Sequence, residues 1–130
     1  MPDAGAGQPA RTRLRQSLCR AAAERRTVTY REAALGIGLA PPQLIQGVAR
    51  LLEALMAEDA AAGHPFIAAL VVGRARDGLP APGFFEAAAR LGRFRGDPAG
   101  PEAAAWHAAE LARAQDFHAA RSETAFTSTD

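Results

Sequence analysis

The sequence predicts an α+β fold that is mainly α. Three observations carry that expectation. Alanine, the strongest helix former, fills 33 of 130 positions. Several segments repeat their apolar residues at helical spacing, with start and stop signals at their ends. One compact β-branched run, FIAALVVG at 66–73, precedes an Asp-Gly turn signal and so suits a strand and hairpin.

Each element follows from its residues. Residues 1–9 carry Gly, Pro and little apolar weight and read as a disordered lead-in. Over 10–26, Leu14, Leu18 and Ala22 recur every fourth residue and predict a first helix, with Cys19 beside the stripe as a small buried residue. Thr27 to Tyr30 suits a short extended stretch. Thr29 and Glu32 stand at capping-box spacing and open a short second helix at about 30–35, with Gly36 as its terminator. Residues 36–40 form the turn. Pro41-Pro42 opens a third helix, on which Leu44, Val48, Leu51, Leu52 and Leu55 form the strongest stripe in the chain, as far as Gly63. After the hairpin, whose return over 79–83 is short because of its prolines, Phe84–Leu91 predicts a fourth helix. Pro101 opens a fifth over 101–118, with Trp106, Ala109, Arg113 and Phe117 on one side. Phe84 and Phe85 either cap the core or place one ring outside. The expected organisation is a single domain over 10–118 and a flexible tail over 119–130.

Composition narrows the functional classes. No apolar run reaches the ~18 residues of a membrane span, and the first sixteen residues lack the apolar core of a secretory signal. One cysteine excludes an internal disulfide and a multi-cysteine zinc site. The expected setting is cytoplasmic. All fifteen basic residues are arginine, against fourteen acids. Residues 1–31 hold seven Arg against Asp3 and Glu24, a balance of +5; residues 32–67 come to −3, 68–95 to +3 and 96–130 to −4. Two basic blocks alternating with two acidic ones suit a cationic face for a polyanion. They also suit a solvated arginine-biased surface, and a pI of about 8.0 is below the usual range of nucleic-acid binders.

The order helix, short helix, turn, long helix, β-hairpin, followed by two C-terminal helices, is a winged helix-turn-helix plan. If the third helix enters a DNA groove, its outward residues are Gln43, Gln46 and Arg50, at i, i+3 and i+7 opposite the leucines. Tyr30 and Arg31 would reach the phosphate backbone, and Arg74 and Arg76 would flank the hairpin tip as a wing. The same residues also fit an ordinary solvated helix face and a charged edge that deters strand pairing.

No catalytic signature appears: there is no phosphate-binding Gly loop, nucleophile elbow or carboxylate pair. His107 and His118 stand roughly 16 Å apart along one helix, too far to share a metal. They and His64 are expected to cap helices or face solvent. The expected protein is therefore non-enzymatic and needs no cofactor. Its partner is duplex DNA or, on the same fold, another protein. An enzyme with a site around His64 and the GLPAPGFF loop is the third alternative.

The segment TVTYREAALGIGLAPPQLIQGVARLL, residues 27–52, resembles the DNA-binding helix-turn-helix of the O6-alkylguanine-DNA alkyltransferases and alkyltransferase-like proteins. The likeness rests on Val28, Thr29, Tyr30, Glu32, Ala33 or Ala34, Gly38, Pro42 and Val48. Carried on through HPFIAALVV to Val72 it covers about a third of the chain, and its motifs are short. In that family HPFIAALVV stands where a proline-cysteine-histidine-arginine-valine motif falls. Aligned through Val71 and Val72, the alkyl-accepting cysteine corresponds to Ala68, with the histidine and arginine at Ala69 and Leu70. The family's base-displacing arginine corresponds to Gln46. The resemblance implies the fold and DNA contact; without a thiol it implies no alkyl transfer. The stretch ALVVGRARDGLPAPGFF is also similar to a pattern in bacterial proteins with the same front end, a likeness that brings no function.

Overall fold

The computed structural model describes residues 7–40, 42, 44–73, 78–98 and 100–128, with side chains between 10 and 120 of these. Residues 1–6 of the lead-in expected over 1–9, Pro41, and residues 74–77, where the sequence predicts a turn, lie outside the described residues; residues 7–9 are helical rather than part of a disordered lead-in.

Helix α1 (Gly7–Ala23) buries Leu14, Leu18 and Ala22, the predicted stripe, together with Ala21. It closes with Arg26 N–H on the Ala21 carbonyl at 3.1 Å and Arg25 at φ 57°, a left-handed conformation that costs a non-glycine residue roughly 1 kcal/mol. Strand β1 (Val28–Thr29) leads into α2 (Tyr30–Gly36). Gly36 is still helical; Gly38, at φ 86°, makes the left-handed turn while Leu39 N–H returns to the Ala34 carbonyl at 3.0 Å. The expected stop is thus displaced by two residues, because the closing hydrogen bonds need one more half-turn beyond the last helical residue. Helix α3 (Leu44–Ala62) turns Leu44, Val48, Leu52, Leu55 and Met56 inward, and Gly63 closes it. Pro42 belongs to the preceding turn.

The run 66–73 departs from the strand expected of it. Ile67–Leu70 forms a buried 3₁₀ turn, and only Val71–Val72 is a strand, β2. A short apolar run does not by itself distinguish a buried strand from a buried helical turn. Strand β2 pairs in parallel with β1, Val28 beside Val71 and Thr29 beside Val72, and α2 and α3 supply the crossover that parallel strands require. Among the described residues, one backbone bond joins the two arms of the expected hairpin, from Gly73 N–H to the Leu79 carbonyl at 2.8 Å. Pro80 and Pro82 offer no amide to extend a ladder.

Helix α4 (Pro82–Arg90) buries Phe84 and Phe85 together, so neither ring projects. They join Phe66, Phe94 and Trp106 in one cluster, for example Phe94 to Trp106 at 5.3 Å and Phe66 to Phe84 at 6.1 Å between centroids. Helix α5 (Pro101–Ser128) continues beyond the predicted end at 118, since nothing from 119 to 128 is Gly or Pro. Its inward side is Ala103, His107, Glu110 and Ala114, then His118; Ala109 and Arg113, which share a side with Trp106 and Phe117, are exposed. It packs most extensively on α1. The whole is mainly helical with a two-stranded parallel sheet. Among the described residues no helix is long and apolar enough to cross a membrane.

Candidate nucleic-acid interface

The α2–turn–α3 unit is built from its caps outward. The Thr29 hydroxyl accepts from Glu32 N–H at 3.0 Å, and the Glu32 carboxylate accepts from Thr29 N–H at 2.9 Å. Two otherwise orphaned amides are satisfied and the start of α2 is fixed. The Arg13 guanidinium donates to the Ile37 carbonyl at 3.0 Å and ties the turn to α1. The Leu39 side chain lies over Gly47: a Cβ there would stand 3.1 Å from its Cδ1. That close approach sets the spacing between the turn and the first turns of α3.

Of the residues singled out in the sequence, Arg31, Gln46 and Arg50 are exposed on this unit. Arg50 and Gln46 border a shallow depression with Leu39 and Gly47. Tyr30 is placed differently. It is half-buried against the core, and its hydroxyl accepts from Ala81 N–H at 2.8 Å. The first residue of α2 thereby holds the residue that precedes α4. Gln43, Arg74 and Arg76 lie outside the described residues. Two apolar side chains are conspicuous on the same unit: Leu35 near the end of α2 and Ile45 near the start of α3, each 50% exposed.

Apart from Arg13, which bonds the Ile37 carbonyl, the arginines with described side chains sort into two groups. Arg11 and Arg15 pair with Glu58, Arg15 also with Asp59, Arg25 with Asp116, Arg26 with Glu24, Arg90 with Glu53, and Arg93 and Arg113 with Glu110. Arg20, Arg31, Arg50 and Arg95 have no ion pair or hydrogen bond among the described residues. The basic and acidic blocks of the sequence thus largely neutralise one another across the fold.

Beneath this surface lies a polar cluster that sequence reasoning missed. Asp59 is buried on α3; its carboxylate accepts from Ile67 N–H at 2.9 Å and pairs with Arg15 at 3.0 Å. Glu110, buried on α5, accepts from Phe66 N–H at 2.8 Å. His107 Nε2 donates to the Ala69 carbonyl at 2.9 Å, and His118 Nε2 to the Pro65 carbonyl at 2.8 Å. Both histidines are buried, where the sequence reading put them at caps or in solvent. Burial lowers the His107 pKa from its ordinary 6.5, against the opposing pull of the Ala69 carbonyl and of Glu110. His64 is half-buried against the Phe117 ring, 4.5 Å between centroids. The four side chains clamp the backbone of 65–69, and the Arg93 guanidinium stacks 4.5 Å above the Phe66 ring. Among the described residues no group of three His, Cys, Asp or Glu side chains is arranged to hold a metal.

The clamped segment ends at a small apolar pocket, lined by Tyr30, Leu52, Met56, Ala68 and Phe84 among others. Ala68, the position matched to the alkyl-accepting cysteine, is on its wall and offers only a methyl group. No protein-family model, curated protein or solved structure matches the chain. The likeness to the alkyltransferases rests on the residues quoted for it.

Proposed function

We propose that this chain is a non-enzymatic DNA-contacting domain with a winged-helix-like core. Helix α3 supplies Gln46 and Arg50 to a groove, with Gln43 just ahead of them in the sequence. Arg31 meets the phosphate backbone, and Arg74 and Arg76 form a wing. Tyr30 serves this unit by holding Ala81, so that the loop before α4 keeps its place relative to α2. The observation that carries the reading is that Arg31 and Arg50 stay unpaired on one exposed helix-turn-helix, while most described arginines are committed to carboxylates.

Polarisation of labelled duplex across a salt series tests it. Four arginine–phosphate contacts, from Arg31, Arg50, Arg74 and Arg76, give a log–log salt slope of roughly −3.6. Arg50→Ala lowers that slope by about 0.9 without unfolding the domain. No binding at low salt refutes the proposal.

A second reading, a protein-interaction module, draws on the exposed Leu35 and Ile45. It expects association that Leu35→Ser with Ile45→Ser abolishes in sedimentation, with duplex inert throughout.

A further inference from the structure

Helix α3 begins Leu44, Ile45, Gln46. Leu44 turns inward, so the first side chains it offers to solvent are an aliphatic one and an amide. Its first turn holds no acidic residue, and its one arginine, Arg50, stands six residues from the start, roughly 9 Å along the axis. In a helix-turn-helix, the residues near the start of the second helix are those that meet base edges. The tip of α3 therefore lacks the guanidinium that reads guanine bidentately. It carries the two chemistries presented together by a single A·T pair in the major groove. Adenine offers N6 and N7, which an amide side chain matches with two hydrogen bonds, and thymine offers its C5-methyl group to an apolar contact.

We infer that Ile45 and Gln46 make α3 selective for A·T pairs, Gln46 by bonding adenine and Ile45 by covering the thymine methyl. The inference rests on the proposed DNA-contacting reading and adds the class of sequence preferred. It also gives a use to Ile45, a large aliphatic side chain left half exposed. Arg50, further along on the same side as Gln46, is left to the phosphates.

The test uses the full chain and three short duplexes at low salt: one rich in A·T, the same one with every thymine replaced by deoxyuridine, and one rich in G·C. Losing one covered methyl weakens the uracil duplex about fourfold. Losing the bidentate adenine contact weakens the G·C duplex roughly five- to 150-fold. Ile45→Ala binds the thymine and uracil duplexes alike and keeps its margin over G·C; Gln46→Ala loses that margin. Both sites are exposed and alanine favours helix, so circular dichroism of the variants matches the parent. Equal affinity of the parent for all three duplexes, or a thymine preference that survives Ile45→Ala, overturns the inference and leaves DNA contact standing. Absence of binding to any duplex overturns both.

Discussion

Adjacent acids on α3 have opposite weights, and Asp59→Ala measured against Glu58→Ala shows it. Asp59 is 1% exposed, and its carboxylate is the partner of a buried amide, Ile67 N–H at 2.9 Å. Truncation leaves that amide unsatisfied, a cost of about 1–3 kcal/mol. Arg15 also loses a partner at 3.0 Å, but it is partly solvated and keeps Glu58 at 3.1 Å, which adds about 1 kcal/mol. The total is about 3 kcal/mol. Glu58 is 45% exposed in its pairs with Arg11 and Arg15, and deleting it costs below about 1 kcal/mol. In urea unfolding, Asp59→Ala moves the midpoint down by about 1.5 M for an m-value of about 2 kcal/mol/M, with m unchanged. Asp59→Asn, whose carbonyl can still accept from Ile67, recovers about half of the loss. Equal shifts for Asp59→Ala and Glu58→Ala, or an Asn variant as damaged as the Ala one, refute the assignment of Asp59 as the clamp of the 3₁₀ turn.

Two further outcomes are expected. Thr29→Ala removes one half of the capping box and costs about 1 kcal/mol in thermal or urea unfolding. His107 gives a pH signature. Its pKa is lowered in the folded protein, so the unfolded chain binds its proton first as pH falls past about 6.5. Its contribution to stability is therefore complete above that value and is lost as pH drops through the lowered folded value. Urea midpoints at neutral and mildly acid pH show this slope, and His107→Gln flattens it; an unchanged slope in the variant counts against the buried neutral histidine.

The helices were legible because their signals are local. The Thr29–Glu32 box and the leucine stripe of α3 each lie within a few turns of chain, and α2 and α3 follow from them. The run at 66–73 was not legible, because its conformation is imposed from outside. Asp59 and Glu110 take the amides of Ile67 and Phe66, and His107 and His118 take the carbonyls of Ala69 and Pro65. A backbone served by side chains from two helices has no need of a strand partner. A signal for this was present. Asp59 continues the buried stripe of Val48, Leu52 and Leu55, and Ala103, His107, Glu110 and Ala114 repeat at helical spacing. Charged or titratable residues on an inward stripe mark buried polar anchors.

The charge blocks misled for a related reason: a balance summed along the chain ignores which residues meet in space. Arg11 and Arg15 belong to the first basic block and Glu58 and Asp59 to the acidic one after it, yet α1 against α3 brings them within about 3 Å. Once such pairs are removed, the +5 of residues 1–31 shrinks, and on the described helix-turn-helix the charges without an ion pair come down to Arg31 and Arg50 against Glu32. Each pair formed inside the fold is also a charge that no longer attracts a polyanion at a distance. The cationic character proposed for α2–α3 is therefore modest and depends on Arg74 and Arg76 for half of its four phosphate contacts. Arg74→Ala with Arg76→Ala thus lowers the salt slope by about 1.8 while leaving the A·T margin set by Ile45 and Gln46 intact. Loss of the margin together with the slope would place base discrimination on the loop instead of on α3.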